Sequence, residues 1–479
     1  MKRIIFLLIL TGMTVLSGCD NWLDVQPADR MPEKQVFNSE SGFLQALNGV
    51  YQNMLSSSLY GSSLGYEFIE IMAQRYNIVS ENTEYMEVVN YSYGTDYCKQ
   101  RIQSIWNTAY TVILNCNNIL ENAEKQDGIL TQDAYRLIVG EALAVRAYLH
   151  LDLLRLFGPV YSIHPESTAI PYAEKVSVSA PELLRADTVL LNRIIRDLTV
   201  AEGLLKASDP ILTEGPLMSS GDDNSYRYRG LRMNYYAVMA LKSRAYLYGG
   251  MTKEAREYAL KVIDDPNRET YFPFVDLSNI KGETRNPDRV FSTEILFSLL
   301  NRNRGNIFSS YFDAENVANN LLIPKKGVIT DLFANETGDI RYAPLWEENS
   351  KSENGDYICI KYKSVQQADT LWNTLIPMIR LSEMYLIAAE CAESETEAYG
   401  YLNTLRNHRS LEDVSEGLDN HLLKEYTKEF VCEGQLFFYF KRKNEAKISK
   451  GTGTGTFRMS EVQYVLPFPD SENQYRTIN

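Results

Sequence analysis

The run QDAYRLIVGEALAVRAYLHLDLLRLF, residues 132–157, does most to narrow what this chain can become. It holds no proline, is far longer than a strand, and is followed at once by Gly158-Pro159. That pair is a strong helix terminator, since proline carries no backbone N–H to continue the ladder. Other stretches read the same way. Residues 40–57 place apolar side chains at 43, 44, 47, 50, 51 and 54, close to the helical period. Residues 97–124 continue it with Ile102, Ile105, Trp106, Ala109, Tyr110, Ile113 and Leu114, and two more helices cover about 187–206 and 229–248. The fold class is therefore mainly α.

An internal repeat sharpens this. LKSRAYLYGGMTKEAREYALKVI (241–263) aligns with MYLIAAECAESETEAYGYLNTLR (384–406). Ala245 falls on Ala388, Glu254 on Glu397, Ala255 on Ala398 and Tyr258 on Tyr401, while Gly249 faces Ala392. Each unit is a helix, a short turn and a second helix, with small residues where helices approach. Such units resemble tetratricopeptide-type hairpins, which bury their faces by stacking on neighbours. Between the repeats, residues 266–375 change character. They are rich in Asn, Arg, Gly and Pro, with apolar runs such as EILFSLL and YICIKY that allow short strands at most. A long irregular lobe in a folded protein is a usual place for function. The last 39 residues, with GTGTGT and VQYVLPFPD, read as irregular too.

With 479 residues the chain is too long for one simple core. Hydrophobic content of 44% and charged content of 23% fit a soluble globule. The net charge of −14 argues against nucleic acid as a partner, which calls for a basic face. Six cysteines lie at 19, 98, 116, 359, 391 and 432, none with metal-ligand or CxxC spacing. Setting Cys19 aside leaves an odd number, so a disulfide framework is not expected.

The N-terminus reads MKRIIFLLILTGMTVLSG: a basic start, an apolar stretch from Ile4 to Leu10, then small residues before Cys19. This is the pattern of a secretory signal over 1–18, too short to span a bilayer. Leu16-Ser17-Gly18-Cys19 resembles a bacterial lipobox, in which the cysteine becomes the lipidated terminus. Two or more acyl chains hold firmly, at about 0.8 kcal/mol per buried methylene. Residues 19–39 then serve as a tether, polar from Asp20 to Arg30.

Catalytic motifs are missing. The histidines are His150, His164, His408 and His421, and none belongs to HExxH. There is no GxSxG elbow and no phosphate-binding P-loop, and GTGTGT at 451–456 reads as a flexible loop. His150, in an apolar helix, reads as a packed residue. Asp222-Asp223-Asn224 lacks the alternating spacing of a calcium loop, so no metal or cofactor is expected. What remains is aromatic loop chemistry. The chain has 32 Tyr, and residues 60–97 carry seven of them: Tyr60, Tyr66, Tyr76, Tyr85, Tyr91, Tyr93 and Tyr97. Sugar rings stack on aromatic faces while neighbouring polar side chains bond the hydroxyls. Arg75, Tyr76, Tyr91, Tyr93 and Trp346 are the candidate ligand residues, for their chemistry and their loop positions.

Several segments, in order, resemble the SusD/RagB family of surface nutrient-binding lipoproteins. They are CDNWLDVQP at the lipidated start, GEALAVRAYLHLDLLRLFGPV (140–160), PMIRLSEMYLIAAEC (377–391), LNTLRNHR (402–409), EYTKEFVCEGQLFFYFKRKN (425–444) and YVLPFPDSEN (464–473). The resemblance implies four tetratricopeptide-like hairpins beside the loop-rich lobe, in one intertwined unit of 40–225 and 226–479. It implies a binding protein and no enzyme, anchored in the outer membrane at the cell surface. The helical side would face a SusC-like TonB-dependent transporter, and the loops would hold an oligosaccharide or, in some members, a peptide or glycoprotein. Two departures stand out. The segment CEGQLFFYFKRKN lacks the family's usual Arg and Asp-x-x-Arg-Trp, which marks a divergent branch, and the binding loops show no motif to carry over. Two other readings are a lipid-anchored hydrolase, with its nucleophile or carboxylate pair in the lobe, and a structural adaptor.

Overall fold

Thr131 starts the long helix: its hydroxyl accepts the Ala134 N–H at 3.2 Å, satisfying one of the donors a helix start leaves open. The helix then runs Gln132–Phe157 and stops at Gly158, as its sequence requires. The computed structural model describes residues 36–177, 179–216, 224–281, 286–316, 320–349, 351, 356–365 and 370–477. The signal segment, Cys19 and most of the tether lie outside the described residues, as do Asp222 and Asp223.

Ten helices organise the rest: α1 (Glu40–Met54), α2 (Asp96–Lys125), α3 (Gln132–Phe157), α4 (Ile195–Ser208), α5 (Tyr235–Tyr248), α6 (Thr252–Ile263), α7 (Leu381–Glu390), α8 (Glu395–Asn407), α9 (Leu418–Glu429) and α10 (Leu436–Lys443). They stack in chain order, α1 on α2, α2 on α3, α3 on α4, α4 on α5, α5 on α6, α6 on α7 and α7 on α8. Helix α9 closes against α7 and α8. The sequence repeat appears as the hairpins α5–α6 and α7–α8, packed through α6 and α7. Ala245, Ala255, Ala388 and Ala398 are all buried. Their small side chains let the helices approach. The same logic acts at Gly140 on α3, where a Cβ would meet Leu205 Cγ of α4 at 2.9 Å.

The strands are short and antiparallel. β1 (Thr168–Pro171) pairs with β2 (Leu183–Arg185), β3 (Ile295–Leu300) with β6 (Leu375–Arg380), β4 (Trp346–Glu348) with β5 (Tyr357–Cys359), and β7 (Lys447–Ser449) with β8 (Thr456–Arg458). Two segments singled out in the sequence take a definite form here. Residues 377–380 belong to β6, with Pro377 opposite Ser298, and the helix starts only at Leu381. Proline inside a helix would cost a hydrogen bond and clash with the preceding turn. GTGTGT, read as a free loop, is the tip of the β7–β8 hairpin and is docked. Gly451 donates to Gln74 Oε1 at 3.2 Å, and Ile78 N–H donates to Thr452 Oγ1 at 2.8 Å. A Cβ on Gly451 would come within 2.5 Å of the Tyr76 carbonyl oxygen, so only glycine permits this contact.

Buried charge is concentrated where α9 meets β6 and α8. Arg380 donates to Glu429 Oε1 at 2.5 Å and to both oxygens of Glu433 at 3.0 and 3.1 Å. Arg409 donates to the two oxygens of Glu429 at 2.7 and 3.1 Å and grips Glu294 at 2.6 and 2.9 Å. Arg341, the third arginine on Glu429, donates to it at 2.9 Å and holds Asp339 at 2.8 and 2.9 Å. All three guanidinium side chains are fully buried. Burial opposes the charge on Glu429, but Arg409, Arg380 and Arg341 outweigh it and hold the carboxyl well below the ordinary range. His150 is a packed residue, as read. Its Nε2 accepts the Ala173 N–H at 3.1 Å, which leaves Nδ1 to donate to the Arg146 carbonyl at 2.9 Å. Burial keeps the ring neutral and lowers its pKa to about 3. Cys98, Cys116, Cys359, Cys391 and Cys432 are buried free thiols.

Candidate functional site

Of the five residues read from the sequence as ligand contacts, Arg75, Tyr76, Tyr91 and Tyr93 lie outside helices and strands while Trp346 opens β4, and a loop position does not bring exposure. Tyr76, Tyr91, Tyr93 and Trp346 are buried, and the side chain of Arg75 is 8% exposed. Their polar atoms are used inside the protein. The phenol of Tyr76 donates to the Tyr66 carbonyl at 3.1 Å, that of Tyr91 to the Met72 carbonyl at 2.7 Å, and that of Tyr93 to the Gln463 carbonyl at 2.6 Å. Arg75 pairs with Glu70 and donates to the Thr427 carbonyl at 2.9 Å. Tyrosine in a loop serves as readily to pin that loop down as to display a ring. Arg75, Tyr76 and Trp346 do converge on one hollow of about 310 Å³, walled largely by apolar side chains such as Val328, Leu332, Leu423 and Phe440. Tyr91 and Tyr93 do not reach it. They pack edge to face on each other, and Tyr91 on Phe457 of β8.

A larger and more polar concavity, about 880 Å³, opens elsewhere. Three separate pieces of chain build it: the end of α1, the segment entering α5, and the end of β3. The last turn of α1 presents Gln52 and Asn53 to solvent and turns Tyr51 inward. The Tyr51 phenol donates to Glu141 of α3 at 2.7 Å and accepts the Met233 N–H at 2.9 Å. Burial, with the Glu141 charge beside it, keeps that phenol protonated. On the second piece, Arg229 points into the core, donating to Glu141 at 2.5 Å and to Asp209 at 2.8 and 3.1 Å. This anchor leaves Arg227 and Tyr228 on the groove side. Tyr228 has φ +52° and ψ 48°, a left-handed conformation that costs a side-chain-bearing residue about 1–2 kcal/mol. Asn234 then ties the segment to the third piece, donating to the Leu296 carbonyl of β3 at 2.7 Å. Past β3, Asn301 donates its backbone N–H to the Thr374 carbonyl at 2.7 Å, and Arg302 extends into solvent.

The groove's chemistry lies in what is left unbonded. Gln52, Asn53, Asn224, Tyr228 and Arg302 all line it, and none makes a side-chain hydrogen bond to the described protein. Arg232 is committed: it donates to Asn48 Oδ1 at 2.5 Å and lies 5.0 Å above the Tyr51 ring. Leu55, Leu231, Leu299 and Leu300 add an apolar strip. Free amides, a guanidinium and a phenol beside apolar surface suit a polyhydroxylated ligand, whose rings have apolar faces and polar rims. Among the described residues no group of three or more His, Cys, Asp or Glu could hold a metal ion, and no helix is long and apolar enough to cross a membrane. Sequence reasoning missed this site because nothing local marks it. Its one sequence hint is Asn224 beside Asp222-Asp223, and both aspartates lie outside the described residues.

Known proteins share this architecture. Residues 21–247 match a family described as starch-binding associating with outer membrane, and residues 305–472 match the SusD family. SusD-like protein P2 of Formosa agariphila is 24% identical over 98% of this chain and 96% of its own length. A SusD-like carbohydrate binding protein from Bacteroides vulgatus superposes with a TM-score of 0.69 at 19% identity, covering 92% of this chain and 97% of that one. A laminarin binding SusD-like protein gives a TM-score of 0.63 at 17% identity, over 91% and 98%. With two family matches that together take in most of the chain, and the helical stack they lead one to expect, this protein belongs to the SusD/RagB family.

Proposed function

We propose that the protein is a non-catalytic glycan-binding lipoprotein of the cell surface, holding an oligosaccharide in the 880 Å³ groove before its import. The observation that carries this reading is the set of unbonded side chains there, Gln52, Asn53, Asn224, Tyr228 and Arg302, on a rigid floor of Tyr51, Glu141 and Arg229. A pre-formed site loses little conformational freedom on binding, which favours affinity. The family supports the ligand class: one solved relative is described as carbohydrate binding and another as laminarin binding. The lipobox-like Leu16-Ser17-Gly18-Cys19 supports anchoring through Cys19, and the family resemblance supports delivery to a SusC-like TonB-dependent transporter.

The test is a glycan array followed by titration calorimetry on the chain from Asp20 onward. Expected is saturable binding of an oligosaccharide with no shortening of it. Asn53→Ala with Tyr228→Ala should abolish binding at unchanged thermal stability. Release of shorter products would instead establish a hydrolase, and binding of peptides alone would move the site to a protein-derived nutrient. Cys19→Ala is expected to release the full chain from the membrane fraction, and persistent tight anchoring would refute lipidation there.

A further inference from the structure

We infer that the groove is built for an acidic oligosaccharide, one whose sugars carry carboxylate or sulfate groups. The inference rests on the glycan reading above and names its charge. The chain carries 62 Asp and Glu against 48 Lys and Arg. The groove inverts that balance. Arg227, Arg232 and Arg302 line it, and among the described residues no Asp or Glu does.

The three arginines are not equivalent. Arg227 pairs with Glu214, whose carboxylate sits outside the lining. Arg232 donates to Asn48 and covers the Tyr51 ring. Arg302 has no partner among the described residues and is exposed at the end of β3. The turn that carries it is fixed on both sides. Asn301 N–H is bonded to Thr374, and Asn301 Oδ1 accepts the Asn303 N–H at 2.9 Å. A guanidinium presents a planar fork of donors that matches a carboxylate or a sulfate in two parallel bonds. The amides of Gln52, Asn53 and Asn224 then meet hydroxyls, which are both donors and acceptors, and the Tyr228 ring offers a face to a sugar. A cationic concavity in an otherwise acidic molecule also concentrates anions locally, an effect that salt screens.

The experiment uses the chain from Asp20 and three size-matched ligand sets: a uronate oligosaccharide, the same oligosaccharide with its carboxylates reduced to alcohols, and a sulfated neutral oligosaccharide. Calorimetry should show at least one charged set binding about tenfold or more tighter than the reduced set, the scale of one charge-assisted bond. The preference should shrink as salt rises from about 50 mM to about 500 mM. Arg302→Gln should erase most of that preference with unchanged thermal unfolding, and Arg302→Lys should restore part of it. Which charged set wins decides between carboxylate and sulfate. If the reduced set binds as tightly as both charged sets and Arg302→Gln changes nothing, the acidic ligand is refuted while the glycan reading stands. If no set binds the folded chain, the glycan reading falls and the inference with it.

Discussion

Two sets of three arginines do opposite work in this molecule. Arg341, Arg380 and Arg409 converge on Glu429 with no exposed side-chain surface. Arg227, Arg232 and Arg302 line an open groove, and Arg302 has no partner among the described residues. Removing a guanidinium from water carries a large desolvation penalty, so the inner set survives only because each charge is matched several times over. The outer set remains solvated and can stay partly unmatched at small cost. The difference teaches how to tell scaffold from site among polar residues: an arginine with all its bonds made inside the protein has no capacity left for a ligand.

That contrast can be broken most directly at its centre. Glu429→Ala should leave three buried guanidiniums short of their shared carboxylate and destabilise the protein by about 3–5 kcal/mol, read by denaturant unfolding. A loss below about 1 kcal/mol would mean that the inner set is not structural. Acid should attack the same interior. His150 is neutral when folded, with its pKa lowered to about 3, whereas an unfolded histidine titrates near 6.5. The unfolded chain therefore binds the extra proton between those values, and stability should fall as pH drops below about 6.5, by up to about 1.4 kcal/mol per pH unit from this group alone. Glu429 acts in the same direction lower down. Its depressed carboxyl contributes stability above the ordinary carboxylate range, lost as pH falls through its folded value. Unfolding free energies at about pH 7, 5 and 4 check His150 and a further point near pH 3 checks Glu429, and a flat profile would contradict the assigned bonding of His150.

At the groove the expected balance reverses. Tyr228→Gly relieves a left-handed backbone while removing the ring, so it should alter stability by less than about 1 kcal/mol yet weaken glycan binding about tenfold. The smallest effect belongs to Tyr93→Phe, which deletes one partly buried hydrogen bond to Gln463 and should cost about 1 kcal/mol of stability. Ligand affinity of the folded protein should not change. A specific loss of affinity in Tyr93→Phe would draw the 60–97 loop back into the binding site.

Part of the inner set lies in contiguous segments that carried the family resemblance, but Arg341 stands outside them, and nothing local in the sequence marks any of these charges as paired. Arg380 and Glu383 stand in PMIRLSEMYLIAAEC, Arg406 and Arg409 in LNTLRNHR, and Glu429 and Glu433 in EYTKEFVCEGQ. The residues that carried the family resemblance turn out to be ion-pair partners: Glu383 grips Arg244 of α5 at 2.7 Å, and Arg406 donates to Glu425 at 2.9 Å. The helices were legible, since a period of 3.6 is a local signal. The groove was not. Asn53, Tyr228 and Arg302 come from three distant segments and are joined only by tertiary structure, and each type is common on any surface. The left-handed backbone at Tyr228 leaves no trace in composition. The tyrosines of 60–97 misled for the converse reason: a dense aromatic segment looks like a display surface until its hydroxyls are found bonded to carbonyls, those of Tyr76 and Tyr91 within the segment and that of Tyr93 to Gln463.

The remote contacts of this segment have a consequence for how the molecule is assembled. The 60–97 segment is held by Thr427, Thr452, Phe457 and Gln463, partners more than 340 positions further along the chain. Contacts so remote in sequence form late, because the intervening chain must first be brought together. The early loops can thus be locked only after the last tenth of the polypeptide has been made. The docked GTGTGT tip acts as a latch that reports completion, and a chain truncated before residue 447 would retain much of its helical stack while its first loops stayed open.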